Sequence, residues 1–392
     1  MTYYLIPKTN QTVYKHLECV EKKTLNMMPV ISYSLSHYLY EIKKKIEEKG
    51  TEWDVYKKYT NPYEFVHSNI PNKKKSISKY KPLSRSYFKM LEILNVFKFS
   101  FGDKIRTFHL AEGPGGFIEA ILNYRKNADD FYIGMSLLDD KNDPNIPSWK
   151  KSEAFLKQHA NVYIEKGKDN TGDILALNNF LSCKEEYMSS MDFITADGGF
   201  DFSLDFNKQE VNVNKLLFAQ SVYAIVMQKK GGSFVLKIFD CFMQHTVDII
   251  YLLSSFYEKV YIMKPNSSRY ANSEKYLICK NFLYSSCEQF FPYLLNVFTK
   301  IIMVETDHIY RFINIPISNY FLTKLEEFNA IFGQQQIENI YFTISLIDNK
   351  NNSEKVENLI KTNSQKCIQW CNKFNVPFHS NLLTNENVFT FH

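Results

Sequence analysis

The chain has 392 residues, of which 45% are hydrophobic and 16% aromatic, and it carries a formal net charge of +5. This length exceeds the usual size of one domain, and the apolar content is enough for a large core, which excludes a globally disordered protein. No stretch is apolar over the ~20 residues that a membrane-spanning helix needs, so we expect a soluble protein.

The cysteines and histidines predict neither disulfides nor a metal site. Seven cysteines are scattered without a Cys-x-x-Cys pair, and an odd, irregular set is typical of reduced thiols in the cytoplasm. Cys367 and Cys371 share a predicted helix face but have no histidine at ligand spacing, so we interpret them as core residues. The N-terminus lacks a basic segment followed by an apolar stretch, and we expect no signal peptide.

The first part of the chain carries helical patches and then a basic run. Residues 1 to about 70 show helical spacing, notably over 34–48, and their function is not indicated. The run 72–85 surrounds Tyr80 with lysines at 73, 74, 75, 79 and 81. It is either a solvated face or an arm that follows RNA phosphates, and the sequence does not separate the two. A helix is predicted next over 86–97, with Arg85 and Lys89 on one face.

Strands and helices alternate from residue 106 onward. Strands are predicted at 106–111, 130–136, 161–165, 191–196, 232–239, 258–264 and 275–281. Helices are predicted at 116–126, near 148–158, up to about 182, at 208–230 and at 243–257. This alternation predicts a mostly parallel sheet covered by helices on both faces. The last two strands are joined by residues 266–274 alone, too few for a helical crossover, so they should pair antiparallel.

The remainder of the chain is predicted to be largely helical. The clearest helices are at 320–332 and 353–374, with an interruption at 341–347 and a surface loop at 348–352. We therefore expect three parts: a mostly helical extension (1–75), an α/β domain (76–290) and a mostly helical C-terminal region (291–392).

The first strand of the alternation runs into the glycine-rich turn 112–116, with the sequence EGPGG, and then into a helix. Glycines let the backbone turn sharply and approach a ligand, and the following helix N-terminus favours an anionic group. Neither a GxGxxG nor a GxxxxGK[ST] pattern is present, which disfavours dinucleotide and P-loop sites. A plain strand-to-helix turn remains the alternative.

Charged residues are predicted at the carboxyl ends of neighbouring strands, where such sheets bind ligands. Asp197 follows one strand, Lys237 lies within another, and Glu274 opens the last. Lys89 from the preceding helix completes a set of two lysines and two carboxylates. Each alone is more often a surface ion-pair member, but Lys237 has apolar neighbours on both sides and needs buried partners.

Six segments occur in a characteristic order: SRSYFKMLEI, EGPGGF, GDI, TADGG, VLKIF and KPNSSRYANSEKYLIC. The series resembles the FtsJ-like ribose 2′-O-methyltransferases over about residues 80 to 282. It is most similar to the branch that methylates mRNA caps, including such proteins of large cytoplasmic DNA viruses. The resemblance implies a Rossmann-like S-adenosylmethionine-dependent methyltransferase fold, with a seven-stranded sheet whose last strand is antiparallel. It requires no metal.

The resemblance also implies residue roles. The family's catalytic tetrad falls on Lys89, Asp197, Lys237 and Glu274. The cofactor would be held by Asp173, at the adenine amino group, and by the glycine turn with its neighbours (Glu112, Gly113, Pro114, Gly115, Gly116, Phe117). The sequence departs from many such enzymes after the second strand, where Ser136 and Leu137 stand in place of an acidic residue for the cofactor ribose. Asp139 or Asp140 could substitute for it.

RNA contacts are implied for the polar loop before the last strand and for the residue directly before the helix at 86–97. The residues are Arg85, Ser267, Ser268, Arg269 and Asn272. Arg269 would bind a phosphate or stack on a base, and its alternative is an ordinary loop arginine.

We therefore expect an RNA ribose 2′-O-methyltransferase that uses S-adenosylmethionine and acts on the cap-proximal nucleotide of mRNA. An rRNA or tRNA methyltransferase is one alternative. A non-catalytic RNA-binding protein of the same fold is the other, and the complete tetrad argues against it. The positions of a cap pocket and the oligomeric state are not indicated.

Overall fold

The computed structural model describes residues 2–10, 12–22, 28–138, 149–199 and 207–379. Within these ranges the strands are β1 (Tyr3–Ile6), β2 (Leu17–Glu21), β3 (Arg106–Leu110), β4 (Phe131–Met135), β5 (Val162–Glu165), β6 (Met191–Ala196), β7 (Gln228–Ile238), β8 (Tyr257–Met263), β9 (Lys275–Phe282) and β10 (Ile309–Ile313). The helices are α1 (Tyr33–Thr60), α2 (Ser86–Phe97), α3 (Gly116–Arg125), α4 (Glu153–Gln158), α5 (Leu177–Tyr187), α6 (Gln209–Asn212), α7 (Asn214–Met227), α8 (Gln244–Phe256), α9 (Phe291–Met303), α10 (Asn319–Asp348) and α11 (Ser353–Lys373).

A mixed sheet forms the centre of the fold, in the order β1-β8-β9-β7-β6-β3-β4-β5. The run from β5 through β4, β3 and β6 to β7 is parallel, whereas β9 pairs antiparallel with both β7 and β8. The predicted mostly parallel sheet with an antiparallel last strand is thus confirmed. Its cause is the short β8–β9 connection, which cannot cross over the sheet.

The N-terminal segment adds an eighth strand that the sequence did not predict. β1 pairs antiparallel with β8, and Tyr3 lies opposite Met263. A second, two-stranded sheet joins β2 to β10. These strands have four or five residues each, too few for a periodic pattern to distinguish them from loops.

The two terminal additions pack on one another through α1 and α10. Their shared apolar cluster includes Leu39, Trp53, Ile340 and Ile347, and it also takes in Phe242 beyond the end of β7. α1 continues past residue 48 to Thr60, with a break at Gly50, whose φ is +50°. The additions therefore lie against the carboxyl end of β7, the edge at which ligands bind in such sheets.

Two local predictions were wrong, and tertiary packing explains one of them. α10 continues through 341–347, where an interruption was expected, because Ile340 and Ile347 fall on the face that packs against α1. The helix expected at 208–230 is divided into α6 and α7 and ends at Met227, and β7 begins at Gln228. The loop at 348–352 lies between α10 and α11 as predicted. None of the described helices is long and apolar enough to cross a membrane.

Candidate active site at the carboxyl ends of the strands

Lys89 and Glu274 form a buried ion pair at the candidate site. The Lys89 Nζ, carried by α2, lies 2.7 Å from Oε1 and 2.9 Å from Oε2 of Glu274. The hydroxyl of Ser268 donates to the same Oε1 at 2.9 Å. Burial raises the pKa of Glu274, but the charges of Lys89 and Lys237 outweigh it and hold that pKa below its ordinary value. Glu274 is therefore ionised at neutral pH.

Lys237 and Asp197 face each other across neighbouring parallel strands. β6 and β7 pair with Ala196 opposite Leu236, which brings the residues that follow together. The Lys237 Nζ donates to the backbone oxygen of Asp197 at 2.6 Å and lies 3.3 Å from its Oδ1. An ideal Cβ on Gly199 would stand 3.2 Å from the same Nζ. The Lys237 Nζ is thus closely held by the residues that follow β6.

Tyr276 connects the two carboxylates of the tetrad, and the sequence analysis missed it. Its buried hydroxyl lies 3.0 Å from Oδ1 of Asp197 and 3.3 Å from Oε1 of Glu274. Burial and the adjacent carboxylates raise the pKa of the phenol well above its ordinary value, so the hydroxyl keeps its proton. The sequence does indicate this position, because Tyr276 comes two residues after Glu274 and side chains two apart on a strand share a face. The structure thus assembles all four predicted catalytic residues together with Tyr276.

A cavity of about 750 Å³ opens in front of Lys237 and Glu274. Its opposite wall comes from the terminal additions, with Trp53 and Lys57 of α1 and Gln336 of α10. Arg85 and Arg269 also line it, and Arg85 is exposed. The additions therefore complete the cleft at which the tetrad is presented.

The loop between β8 and β9 is held by contacts with the rest of the protein. Ser267 and Ser268 are buried, at 3% and 1% exposure. Arg269 makes a two-fold contact with Glu64, from Nε to Oε2 at 2.9 Å and from Nη2 to Oε1 at 2.6 Å. Asn272 accepts from the Nζ of Lys264 through both its backbone and side-chain oxygens. These contacts hold the loop that leads to Glu274 in place. The contacts of the loop residues with RNA stay predictions.

Glu92, three residues after Lys89 on α2, fixes the start of the same loop. Its carboxylate accepts from the backbone N–H of Asn266 at 2.8 Å and of Ser267 at 2.7 Å. It also accepts from the indole N–H of Trp370 in α11, at 2.9 Å. The sequence pattern carries no sign of these contacts, because they join segments that are distant along the chain.

The predicted cofactor turn has the geometry of a tight strand-to-helix connection. Gly115 has a φ of +100°, and α3 begins at the next residue. An ideal Cβ on Gly116 would lie 2.2 Å from the hydroxyl oxygen of Ser84, so this glycine is required by protein packing. Glu112 accepts from the backbone N–H of Phe117. Its other oxygen, Oε2, is buried without a hydrogen-bond partner among the described residues. Burial raises the pKa of Glu112 well above its ordinary value.

The loop with Asp173 packs against the end of β4. Gly172 has a φ of +66°, and an ideal Cβ there would lie 2.0 Å from the backbone oxygen of Ser136. Asp173 is half-buried, and its Oδ1 accepts from the N–H of Leu175 at 2.9 Å. Leu137 is 43% exposed. The two aspartates suggested for the cofactor ribose, at 139 and 140, lie outside the described residues, so that contact remains open.

Known proteins share both the motif region and part of the additions. The model of the FtsJ-like methyltransferase family matches residues 82–282. The cap-specific mRNA (nucleoside-2′-O-)-methyltransferase 2 of Danio rerio is 30% identical over 272 residues, which cover 67% of this chain and 36% of that protein. The protein of the same name from Pongo abelii is 30% identical over 357 residues, which cover 83% of this chain and 43% of that protein. The chain thus spans less than half the length of these relatives.

The family match covers just over half of the chain, from the residues before α2 to the end of β9. It contains each member of the tetrad, the glycine turn and the loop before Glu274. The chain belongs to the FtsJ-like methyltransferase family.

Proposed function

We propose that this chain is an S-adenosylmethionine-dependent RNA ribose 2′-O-methyltransferase that acts on the cap-proximal nucleotide of mRNA. The observation that carries the proposal is the convergence of Lys89, Asp197, Lys237 and Glu274 beside one cavity. The names of the relatives support the choice of the mRNA cap over rRNA or tRNA.

The proposed reaction needs a ribose hydroxyl to attack an electrophilic carbon, and the hydroxyl is a weak nucleophile near neutral pH. Holding both partners in a near-attack arrangement can supply roughly 7–11 kcal/mol. Lys237 lines the cavity and is fixed by Asp197. It would either accept the hydroxyl proton as a general base or, if charged, stabilise the developing alkoxide. Asp197 and Glu274 would orient the two lysines and balance their positive charge.

S-adenosylmethionine would supply a methyl group activated by a sulfonium. We assign its binding to Asp173 and to the glycine turn with its neighbours (Glu112, Gly113, Pro114, Gly115, Gly116, Phe117). The unpartnered Oε2 of Glu112 supports this, since a buried carboxyl oxygen calls for a hydrogen-bond partner, and a bound ammonium group would supply one and favour the ionised carboxylate. The N-terminus of α3 begins at the same turn and favours a carboxylate.

For the RNA, Arg85 is the contact that the geometry supports best, because it is exposed and lines the cavity. Arg269 lines the same cavity while it is paired with Glu64, so we propose that it contributes positive potential there. Ser267, Ser268 and Asn272 would act by shaping the loop. The three-part division at residues 75 and 290, the cytoplasmic location and a viral origin remain proposals.

The test is transfer of a labelled methyl group to matched short RNAs that differ only at the 5′ end. We expect labelling of capped RNA and little labelling of the uncapped RNA. Capped RNAs that already carry a 2′-O-methyl group on the first or on the second nucleotide identify which ribose is the acceptor. Equal labelling of uncapped RNA, or preferential labelling of rRNA or tRNA transcripts, would contradict the cap assignment.

A further inference from the structure

Lys264 and Glu274 stand at the two ends of the connection between β8 and β9. Lys264 directly follows Met263, the last residue of β8. Glu274 directly precedes β9, which begins at Lys275. Met263 lies opposite Tyr276 in the antiparallel pairing of these strands, so both ends of the connection are at the carboxyl end of β8. Lys264 is therefore close to the candidate catalytic carboxylate, although it is not one of the four residues of the tetrad.

The side chain of Lys264 ties the two ends of this connection together. Its Nζ donates to the backbone oxygen of Glu274 at 2.9 Å. It also donates to the backbone oxygen of Asn272 at 2.6 Å and to the side-chain oxygen of the same residue at 2.7 Å. An ammonium group has three N–H donors, and these three acceptors use all of them. The hydroxyl of Ser268, which donates to Oε1 of Glu274, lies 3.4 Å from that side-chain oxygen of Asn272. Lys264 thereby fixes both the main chain at Glu274 and the surroundings of its carboxylate.

A buried lysine is costly for a protein, and further charges surround this one. Lys264 is 8% exposed. Burial, followed by the charge of Lys275, lowers its pKa well below the ordinary value, whereas the charge of Glu274 acts against this shift. The three acceptors replace hydrogen bonds to water, but they belong to uncharged groups and provide no ion pair. A methionine would occupy a similar volume without this cost. The ammonium group therefore indicates a role in setting the position of the loop at Glu274.

We propose that Lys264 is a positioning residue for the reaction, which acts by holding Glu274 where its carboxylate binds Lys89. The inference rests on the proposed function, since it concerns the same tetrad. The two oxygens of Glu274 lie 2.7 and 2.9 Å from the Lys89 Nζ. If the main chain at Glu274 shifts, these distances lengthen and Lys89 loses its orientation. A misplacement of about 1 Å can lower the rate of an enzyme roughly 100-fold.

The test compares Lys264→Met with the wild type in single-turnover methyl transfer to a short capped RNA. We expect the rate constant at saturating RNA and S-adenosylmethionine to fall about 10- to 100-fold. The concentrations that half-saturate the reaction should change by less than about two-fold, because the cofactor and the RNA are bound by other residues. Lys8→Met is the matched control, since the Lys8 Nζ likewise donates to three backbone oxygens, where α8 ends and β8 begins (Ser254, Ser255, Tyr257). It should lose stability and keep the rate.

A second comparison separates positioning from a general effect on stability. In the Glu274→Gln background Lys264 has no carboxylate left to position, so adding Lys264→Met should lower the rate by no more than about two-fold. A residue that only stabilises the fold would lower the rate by the same factor in both backgrounds. If Lys264→Met does not fold, Asn272→Ala removes one of the three acceptors. It should give a smaller loss with the same dependence on Glu274.

Crystal structures of the wild type and of the variant give a readout that needs no activity. We expect the separation of the Lys89 Nζ from the Glu274 carboxylate to exceed about 4 Å in the variant, the limit of an ion pair. An unchanged separation, an unchanged rate, or equal losses of rate in the two backgrounds would each overturn the inference. If the wild type transfers no methyl group to any RNA but the separation increases in the variant, the proposed function fails and the positioning of Glu274 by Lys264 stands.

Discussion

Trp370 in the last helix donates its indole N–H to Glu92 at 2.9 Å, across 278 positions of the chain. The same carboxylate holds the backbone N–H groups of Asn266 and Ser267, at the start of the loop that leads to Glu274. Glu92 is fully buried, and burial raises its pKa although these donors act against the shift. Glu92 therefore links the C-terminal addition to the loop that leads to the candidate active-site residue Glu274.

We predict that Trp370→Phe lowers the free energy of unfolding by about 1–3 kcal/mol, because one donor to a buried carboxylate is lost while a ring remains. The turnover rate should fall several-fold, with the dissociation constant for S-adenosylmethionine unchanged. Phe374→Leu is the control, since Phe374 directly follows α11 and its ring packs on Trp370. It should lose stability but keep the turnover rate. If Trp370→Phe has the turnover rate and the stability of the wild type, the contact between Trp370 and Glu92 does not support the candidate active site.

Lys237→Ala and Asp197→Ala should each abolish turnover, since both residues are assigned to the reacting hydroxyl. Binding of S-adenosylmethionine, measured by calorimetry, should survive largely intact. Lys229→Ala serves as the control, because Lys229 lies on the same strand and pairs with Asp192 in an exposed position. Near-wild-type activity in a folded variant at either tetrad position would show that the assignment is wrong.

Asp173→Ala should weaken S-adenosylmethionine binding by roughly 1.5–3 kcal/mol, because a charged acceptor for the adenine amino group is removed. Calorimetry measures the change directly. Asp169→Asn is the comparison, since Asp169 lies in the same loop and its Oδ1 accepts from Thr171 and Asn179. If only Asp169→Asn weakens binding, the adenine contact belongs to Asp169.

The lysine arm can be tested through the salt dependence of RNA binding. Lys73, Lys74 and Lys75 are exposed. Desolvation and the charges of Lys75, Lys79 and Lys81 lower the pKa of His379. The positive charges of these three lysines are therefore clustered near the His379 side chain. Binding to a single strand weakens with salt at a slope of roughly −0.7 per phosphate contact. Replacing the lysines at 73, 74 and 75 with Ala should weaken binding of capped and uncapped RNA alike and flatten that slope.

The control for the arm replaces three exposed lysines of α11, at 355, 361 and 366, with Ala. It should leave the salt slope unchanged, since these residues lie outside the arm. If the salt slope of RNA binding is unchanged in the arm variant, the lysines form only a solvated face and do not contact RNA phosphates. A selective loss of cap preference would instead place it in a cap pocket.

Glu210 should make stability pH-dependent. Burial, followed by the charge of Asp240, raises its pKa from 4.5 to about 7. An acid with a raised folded pKa binds its proton more tightly in the folded state, so stability should fall as the pH rises from 4.5 to 7 and then level off. At 1.36 kcal/mol per pKa unit, the contribution is about 3 kcal/mol. The difference in unfolding free energy between wild type and Glu210→Gln should follow this curve, and a difference that does not vary with pH would contradict it.

The sequence by itself predicted the candidate catalytic residues and determined the class of fold. Alternating strands and helices predict the sheet because side-chain periodicity is a local property that needs no tertiary information. The short connection before β9 predicts its antiparallel direction for an equally local reason. The rule that strand ends converge at one edge of a parallel sheet predicts that these charged residues meet, and the resemblance to the family implies their catalytic roles.

Only the tertiary structure decided what surrounds those residues. The strand β1, the α1 wall of the cleft, and the contacts of Glu64 with Arg269 and of Glu92 with Trp370 all join segments far apart in the chain. Such contacts depend on which surfaces meet after folding, and no periodic pattern records that. The same reason explains the unbroken α10, because packing against α1 outweighs the local preference of its β-branched residues.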